Sequence, residues 1–335
     1  LGQRAGKLSD PESGDSFLAH VGRNLWLTFA PVTLIQPARA PDGRWSLGAV
    51  TVTEADLLAA RPEGVAGSCQ QFTLFHDGWR VAAFRLFRPL AYYAAFASAE
   101  TFACLRVAVG SLLEQGGWRW EIGVITAPET VPQVEAALAP LALGERLHIA
   151  TVAPTAGPLD WCLARYRIDA HPAFRAAQPL LYLDTDIVCD RPLEPLLASL
   201  AFSGGIHACA EGLVGEGSPE SAGHWFGWRL MAEDGMPFDR NAPGFSAGAL
   251  GMANAASAAE PFSMILRAAT EDAARPDGGR KLAGLDQPFA NYVLRKLGRI
   301  DLGVLSQVLT LHRLDGGGPL FPPPERARGL VHFLG

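Results

Sequence analysis

The segment Leu180-Leu181-Tyr182-Leu183-Asp184-Thr185-Asp186 sets two acids at the end of a short apolar run that follows Pro179. Side chains of an extended backbone alternate with period two, so the spacing predicts Asp184 and Asp186 on one side of a buried strand end and Thr185 on the other. Two carboxylates held that close repel, and a divalent cation coordinated by both removes the conflict. The plain alternative is a pair of hydrated acids, because a lone D-x-D is short enough to occur by chance. Other residues with chemistry lie far away in the chain. Asp286 and Gln287 stand where a helix running to residue 297 begins, a place where the dipole favours an acid. Arg165 precedes the two acids, and His332 interrupts the apolar run Val331-His332-Phe333-Leu334. Taken singly, Arg165 is a surface cation or salt-bridge partner and His332 a hydrogen-bonded core histidine.

Residues so far apart need a scaffold to bring them together, and after Pro89 the pattern alternates strand with helix. Strands are predicted over 90–97, 120–126 and 147–152, and helices over 101–114 and 131–138. That alternation predicts an α/β domain with a mostly parallel central sheet, whose ligands gather beyond the carboxyl ends of the strands. Residues 1–87 form a small β-rich accessory region in this reading, and residues 88–335 the main domain. Within the first, a loose terminus is expected over 1–16 and a strand over 45–52. Thr53 with Asp56 resembles a capping box, and a hairpin turns at His76-Asp77-Gly78. Gly/Pro-rich stretches at 212–223, 275–284 and 315–324 are predicted as surface loops. His224, Trp225, Phe226 and Trp228 are either core or an aromatic platform for a sugar face.

Composition bounds the class. The 335 residues are 49% hydrophobic with a net charge of −6, enough for a buried core and unlike a disordered chain or a small disulfide-stapled scaffold. An acidic balance gives no footprint for nucleic acid, so an anionic ligand must meet a local cation or a metal. The five cysteines are odd in number and lack C-x-x-C spacing, which predicts a reducing compartment rather than disulfides or structural zinc. The uncharged stretches 24–38 and 241–259 are broken by Pro, Gly, Asn or Ser, so no transmembrane segment is expected, nor is a signal peptide visible. A cytoplasmic location, in places peripheral to the inner membrane, is the expectation. Basic residues are almost all Arg, with Lys only at 7, 281 and 296, a bias that fits a bacterial source.

Arg165, followed after a spacer by Leu181-Tyr182-Leu183-Asp184-Thr185-Asp186, resembles the donor-site core of glycosyltransferase family 8. Three more segments resemble that family's motifs in the family's order. Gly244-Phe245-Ser246-Ala247-Gly248-Ala249-Leu250 is similar to its F-N-A-G-V-L element, and Leu285-Asp286-Gln287-Pro288-Phe289-Ala290-Asn291 to its D-Q-D-x-x-N stretch. Val331-His332-Phe333-Leu334-Gly335 looks like its H-F-x-G or H-Y-x-G ending. The resemblance runs from about residue 90 onward.

It implies a GT-A fold and metal-dependent transfer of a hexose from a nucleotide sugar, with retention of anomeric configuration, to a carbohydrate, lipid-linked or protein acceptor. By the same resemblance Asp184, Asp186 and His332 hold Mn²⁺ or Mg²⁺. Arg165, Asp184, Ser246 and Gly248 line the donor, and Asp286 and Gln287 stand beside the transferred sugar as the catalytic pair. Two departures stand out. Ser246 replaces the family's Asn, with a shorter reach for a sugar hydroxyl. Ala99 and Thr101 take the places of an acid that reads uracil and of its Asn or Asp neighbour, so a UDP-sugar, the family's usual donor, lacks its base-reading group here. A nucleotidyltransferase and a non-catalytic sugar- or nucleotide-binding relative are the alternative readings.

Overall fold

The computed structural model describes residues 25–28, 34–35, 38–47, 50–53, 55, 61–66, 69–76, 79–96, 98–153, 157–201, 203–216, 225–275, 285–313 and 329–334. By internal contacts the chain divides into two units, Leu1–Pro89 with Ala176–Gln178, and Leu90–Arg175 with Pro179–Gly335.

The first unit is antiparallel throughout. Its strands are β1 (Leu25–Thr28), β2 (Leu34–Ile35), β3 (Ala38–Arg39), β4 (Trp45–Leu47), β5 (Val50–Val52), β6 (Arg61–Ala66), β7 (Cys69–His76) and β8 (Trp79–Phe87). They form one sheet in the order β2-β1-β8-β7-β6 and a smaller one in the order β3-β4-β5. The single strand expected over 45–52 is two, with Leu47 opposite Val50; folding back lets the two halves satisfy each other's backbone groups. The β7–β8 hairpin has His76 facing Trp79. Its turn residues, Asp56 and the terminus 1–16 lie outside the described residues, as do most of the three predicted loops.

In the second unit the alternation of strand and helix is plain: β9 (Leu90–Ala94), α1 (Ala99–Glu114), β10 (Glu121–Thr126), α2 (Val131–Leu138), β11 (Leu147–Thr151), α3 (Pro158–Leu163) and β12 (Leu180–Leu183). Then follow β13 (Ile187–Cys189), α4 (Glu194–Ala201), β14 (Ile206–Leu213), α5 (Trp228–Glu233), β15 (Pro243–Met252), α6 (Ala255–Ala273), α7 (Gln287–Lys296), β16 (Ile300–Asp301), β17 (Leu309–Arg313) and β18 (Leu330–Leu334). A seven-stranded sheet has the order β11-β10-β9-β12-β15-β14-β16, and a three-stranded one the order β13-β18-β17. In the large sheet only β15 runs antiparallel to its neighbours. Its central strands β9 and β12 read Leu-Ala-Tyr-Tyr-Ala and Leu-Leu-Tyr-Leu, buried almost without a break, as strands covered on both faces must be. The strand expected over 90–97 stops at Ala94, and α1 begins two residues earlier than predicted because the Ser98 hydroxyl caps it, accepting from Thr101 N–H at 3.3 Å.

Because β12 and β14 are both antiparallel to β15, they point the same way, and their carboxyl ends share one edge with those of β9, β10 and β11. Among the described residues no helix is long and apolar enough to cross a membrane.

Candidate active site

Asp184 follows the last residue of β12, and the chain turns at once, with Ile187 N–H donating to Asp184 O at 3.1 Å. The extended backbone expected through Asp186 is therefore not there. Asp184 N–H still reaches Gly248 O on β15 at 2.8 Å, but β13 leaves the large sheet to pair with β18. The two acids meet through a turn, not through alternation along a strand.

That departure delivers His332. Ile187 faces His332 across the β13–β18 ladder, Phe333 N–H donates to Asp186 O at 3.1 Å, and His332 Nε2 lies 3.2 Å from Asp186 Oδ1. Asp184, Asp186 and His332 each offer a donor atom within 4.8 Å of the others. The set fits a divalent cation on two further counts. His332 is buried, yet its Nδ1 has no hydrogen-bond partner, a condition that costs about 1–3 kcal/mol unless a ligand relieves it. A Cβ on Gly248 would lie 2.4 Å from His332 Cε1 and 2.9 Å from Asp184 Oδ2, so the glycine keeps open the space the ligands surround. Two carboxylate oxygens and one imidazole nitrogen suit Mn²⁺ or Mg²⁺. Burial pushes the His332 pKa down, but the carboxylates of Asp186, Asp184 and Glu211 prevail and raise it. Burial raises that of Asp184, opposed by the Arg165 cation.

Arg165 sits in a short 3₁₀ turn directly after α3 and is buried. Its guanidinium contacts protein on every side. One nitrogen lies 3.1 Å from Asp184 Oδ1, Nε lies 3.4 Å from Asp286 Oδ2, and further bonds reach Ala247 O at 2.6 Å and Cys162 O at 2.9 Å. Its plane lies over the Tyr182 ring at 4.7 Å, and the Tyr182 hydroxyl donates to Asp184. Instead of standing free toward a donor, Arg165 is the shared counter-ion of two buried acids.

Asp286 occupies the N-cap position of α7 without capping it, since no side-chain bond reaches the helix. Leu285 before it has φ +50°, a left-handed conformation that costs a non-glycine residue about 1 kcal/mol. The Asp286 carboxylate accepts from Tyr166 OH at 2.6 Å; burial raises its pKa, while Arg165 and Tyr166 hold it back. Gln287, one residue on, accepts from Ala247 N–H at 3.0 Å through Oε1. Asn291, one turn later, bonds both the N–H and the C=O of Phe245, at 3.1 and 2.9 Å. It acts as a surrogate strand that fastens α7 to β15. The Ser246 hydroxyl accepts from Gly248 N–H at 3.3 Å. Beyond the carboxyl end of β9, Thr101 shares its hydroxyl with Ser98 at 3.2 Å, so it is tied into the α1 cap.

The structure thus brings Arg165, Asp184, Asp186, Ser246, Gly248, Asp286, Gln287 and His332 to one edge of the sheet. It adds Tyr166 and Glu211, and it gives roles to Tyr182 and Asn291, which the sequence motifs contain without assigning them one. For Glu211 a signal existed: an acid followed by glycine at the carboxyl end of the apolar strand Ile206–Leu213, the same grammar that flagged Asp184. Of the aromatic cluster, Phe226 is core at 2% exposure, Trp225 is 48% exposed, and His224 lies outside the described residues. Four carboxylates here face one guanidinium and one imidazole, a deficit of positive charge that a divalent cation offsets.

No family model matches the chain, and no curated protein matches it in sequence. Solved structures do resemble it. A crystal structure of the galactosyltransferase LgtC in complex with donor and acceptor sugar analogs superposes with a TM-score of 0.51 at 16% identity, over 74% of this chain and 87% of that one. The bifunctional glycosyltransferase WbbM in its apo form gives 0.47 at 14% identity, over 74% of this chain and 45% of that one. The first likeness assigns the fold and nothing finer: the second unit has the GT-A architecture.

Proposed function

We propose that this chain is a family 8 glycosyltransferase, a metal-dependent retaining hexosyltransferase that moves a sugar from a nucleotide sugar to a carbohydrate, lipid-linked or protein acceptor. The observation that carries the reading is the meeting of Asp184, Asp186 and His332 beyond the carboxyl end of a central strand. Mn²⁺ or Mg²⁺ held by these three would supply Lewis-acid stabilisation of the diphosphate leaving group, worth several kcal/mol.

The chain's own residues do the rest by placement. Arg165 fixes Asp184 and Asp286 relative to each other, so the metal ligand and the sugar-side acid keep one spacing. Gly248 lets the backbone pass close to the residues that would hold the metal, and the Ser246 hydroxyl accepts from Gly248 N–H beside them. Gln287 is an amide and has no basicity at neutral pH. With no side-chain base on the opposite face among the assigned residues, the acceptor hydroxyl gives its proton to the departing diphosphate on the same face, which retains configuration. Residues 1–87 serve in this reading as an accessory region outside the catalytic domain 88–335, and the free thiols of Cys104, Cys162, Cys189 and Cys209 among the described residues fit a cytoplasmic setting.

A nucleotide-sugar panel with Mn²⁺, scored by thermal shift and by slow donor hydrolysis, tests this without an acceptor. Stabilisation by a donor that requires the metal, with release of free hexose, is expected. Binding without turnover, with any acceptor offered, would instead favour a non-catalytic relative.

A further inference from the structure

Glu211 is a site carboxylate that stands in no motif, and a local irregularity puts it there. Ala210 pairs with Phe245 and Leu213 with Pro243, so Glu211 and Gly212 together oppose Gly244. This is a β-bulge, which adds a residue to one strand and re-aims a side chain. Gly212 has φ +53°, and a Cβ there would come within 2.6 Å of the Phe226 ring, so the bulge depends on glycine. Around the re-aimed Glu211 carboxylate stand the His332 ring, the Ser246 hydroxyl and the Gln287 amide, each of which holds its pKa down. Burial raises its pKa against these three, and its Oε2 is enclosed without a hydrogen-bond partner. Gln287 meets it from α7. With Oε1 engaged by Ala247 N–H at 3.0 Å, the amide has only its N–H groups to turn toward Glu211.

We propose that Glu211 is a positioning residue for the Gln287 amide: its carboxylate accepts an amide N–H while the Ala247 N–H holds the amide oxygen, clamping both ends beside the metal centre. The consequence for turnover rests on the proposed glycosyl transfer; the clamp itself does not. A side chain held at both ends keeps one orientation toward the sugar, and loss of the clamp lowers the chemical step more than donor binding.

The test reads the Gln287 side-chain amide directly, by proton–nitrogen NMR with the resonance assigned from its loss in Gln287→Ala. In the parent, its N–H protons should exchange slowly with solvent, and fast exchange there also overturns the proposal. In Glu211→Ala and in Glu211→Asp, which is one methylene too short, exchange should rise about tenfold or more, whereas Glu211→Gln, whose carbonyl has the right reach, should keep the protection. Unchanged exchange in both Glu211→Ala and Glu211→Asp overturns the proposal. Mn²⁺ affinity, read by electron spin resonance, should stay within about twofold in all three, and a tenfold loss would make Glu211 a metal ligand instead. With a donor from the panel, Glu211→Ala should lower kcat about 10- to 100-fold at a nearly constant donor KM; a raised KM with kcat intact also overturns it. If the panel yields no donor, the proposed glycosyl transfer fails, and the exchange result still decides on the clamp.

Discussion

One terminal nitrogen of Arg165 lies 3.1 Å from Asp184 Oδ1, and Nε of the same guanidinium lies 3.4 Å from Asp286 Oδ2. Two acids from distant parts of the chain share one buried cation. Removing that cation takes from both carboxylates their main counter-charge in a site where burial already raises their pKa. Arg165→Met should therefore cost roughly 3–5 kcal/mol in urea unfolding, and adding Asp286→Asn should recover part of the loss. A cost below 1 kcal/mol would show that the acids do not depend on the guanidinium.

The metal site separates function from stability. The Asp186 side chain is 45% exposed, so Asp186→Ala should leave the metal-free melting temperature almost unchanged while abolishing stabilisation by Mn²⁺ and donor. His332→Ala should weaken metal affinity less, because the carboxylates supply the charge and the imidazole a neutral nitrogen. Equal Mn²⁺-induced shifts in parent and Asp186→Ala would remove the metal assignment.

Gly248→Ala probes the space between the ligands. Its new methyl group would lie 2.4 Å from His332 Cε1, so the imidazole must move. A stability loss of about 1–3 kcal/mol is expected, together with a fall in Mn²⁺ affinity at least as large as that of His332→Ala. Full affinity in a folded Gly248→Ala protein would mean that His332 does not bind the ion.

Stereochemistry tests the mechanism. Transfer from an α-linked donor should give an α-linked product, read from the anomeric proton coupling. Gln287→Ala should be slow but active, and Asp286→Asn should lose more through displacement of the sugar. A β-linked product would overturn both the mechanism and the family 8 reading.

A pH effect should arise away from the site. His207 on β14 is buried with neither ring nitrogen hydrogen-bonded, and burial lowers its pKa although Asp301 opposes the shift. The folded chain thus holds this imidazole neutral while the unfolded chain takes up a proton below about pH 6.5. Its contribution is complete above that pH and is lost as the pH falls through it. The melting temperature of the parent should fall more steeply than that of His207→Gln between pH 7.5 and 5.5, the range in which imidazole titrates.

Strands β9, β10 and β12 were legible because a sheet covered on both faces demands apolar runs, whereas the half-buried edge strand β11 was legible from the strand–helix alternation around it. The candidate metal ligands Asp184, Asp186 and His332 were legible through the order of motifs. Their means of meeting was not: period-two reasoning assumed that the strand continues through Asp186, and only the pairing of β13 with β18 shows that it ends at Leu183. The inward course of Arg165 was equally hidden, because the acids that hold it come from β12 and α7 and not from its own neighbourhood. The only signal for Glu211 was its place near the end of an apolar strand; the bulge that re-aims it is a relation between two strands and cannot be read from either one alone.

Asp184 belongs to the end of the seven-stranded sheet, whereas His332 lies within the three-stranded one. A cation bound by both is a removable cross-link between two separately hydrogen-bonded layers. Loss of such a cation should loosen the small sheet, and amide exchange in β13 and β18 should then gauge ion occupancy. The ion would then act as a fastener of the fold as well as an aid to the chemistry, and a chain short of metal would lose order locally before it lost its core.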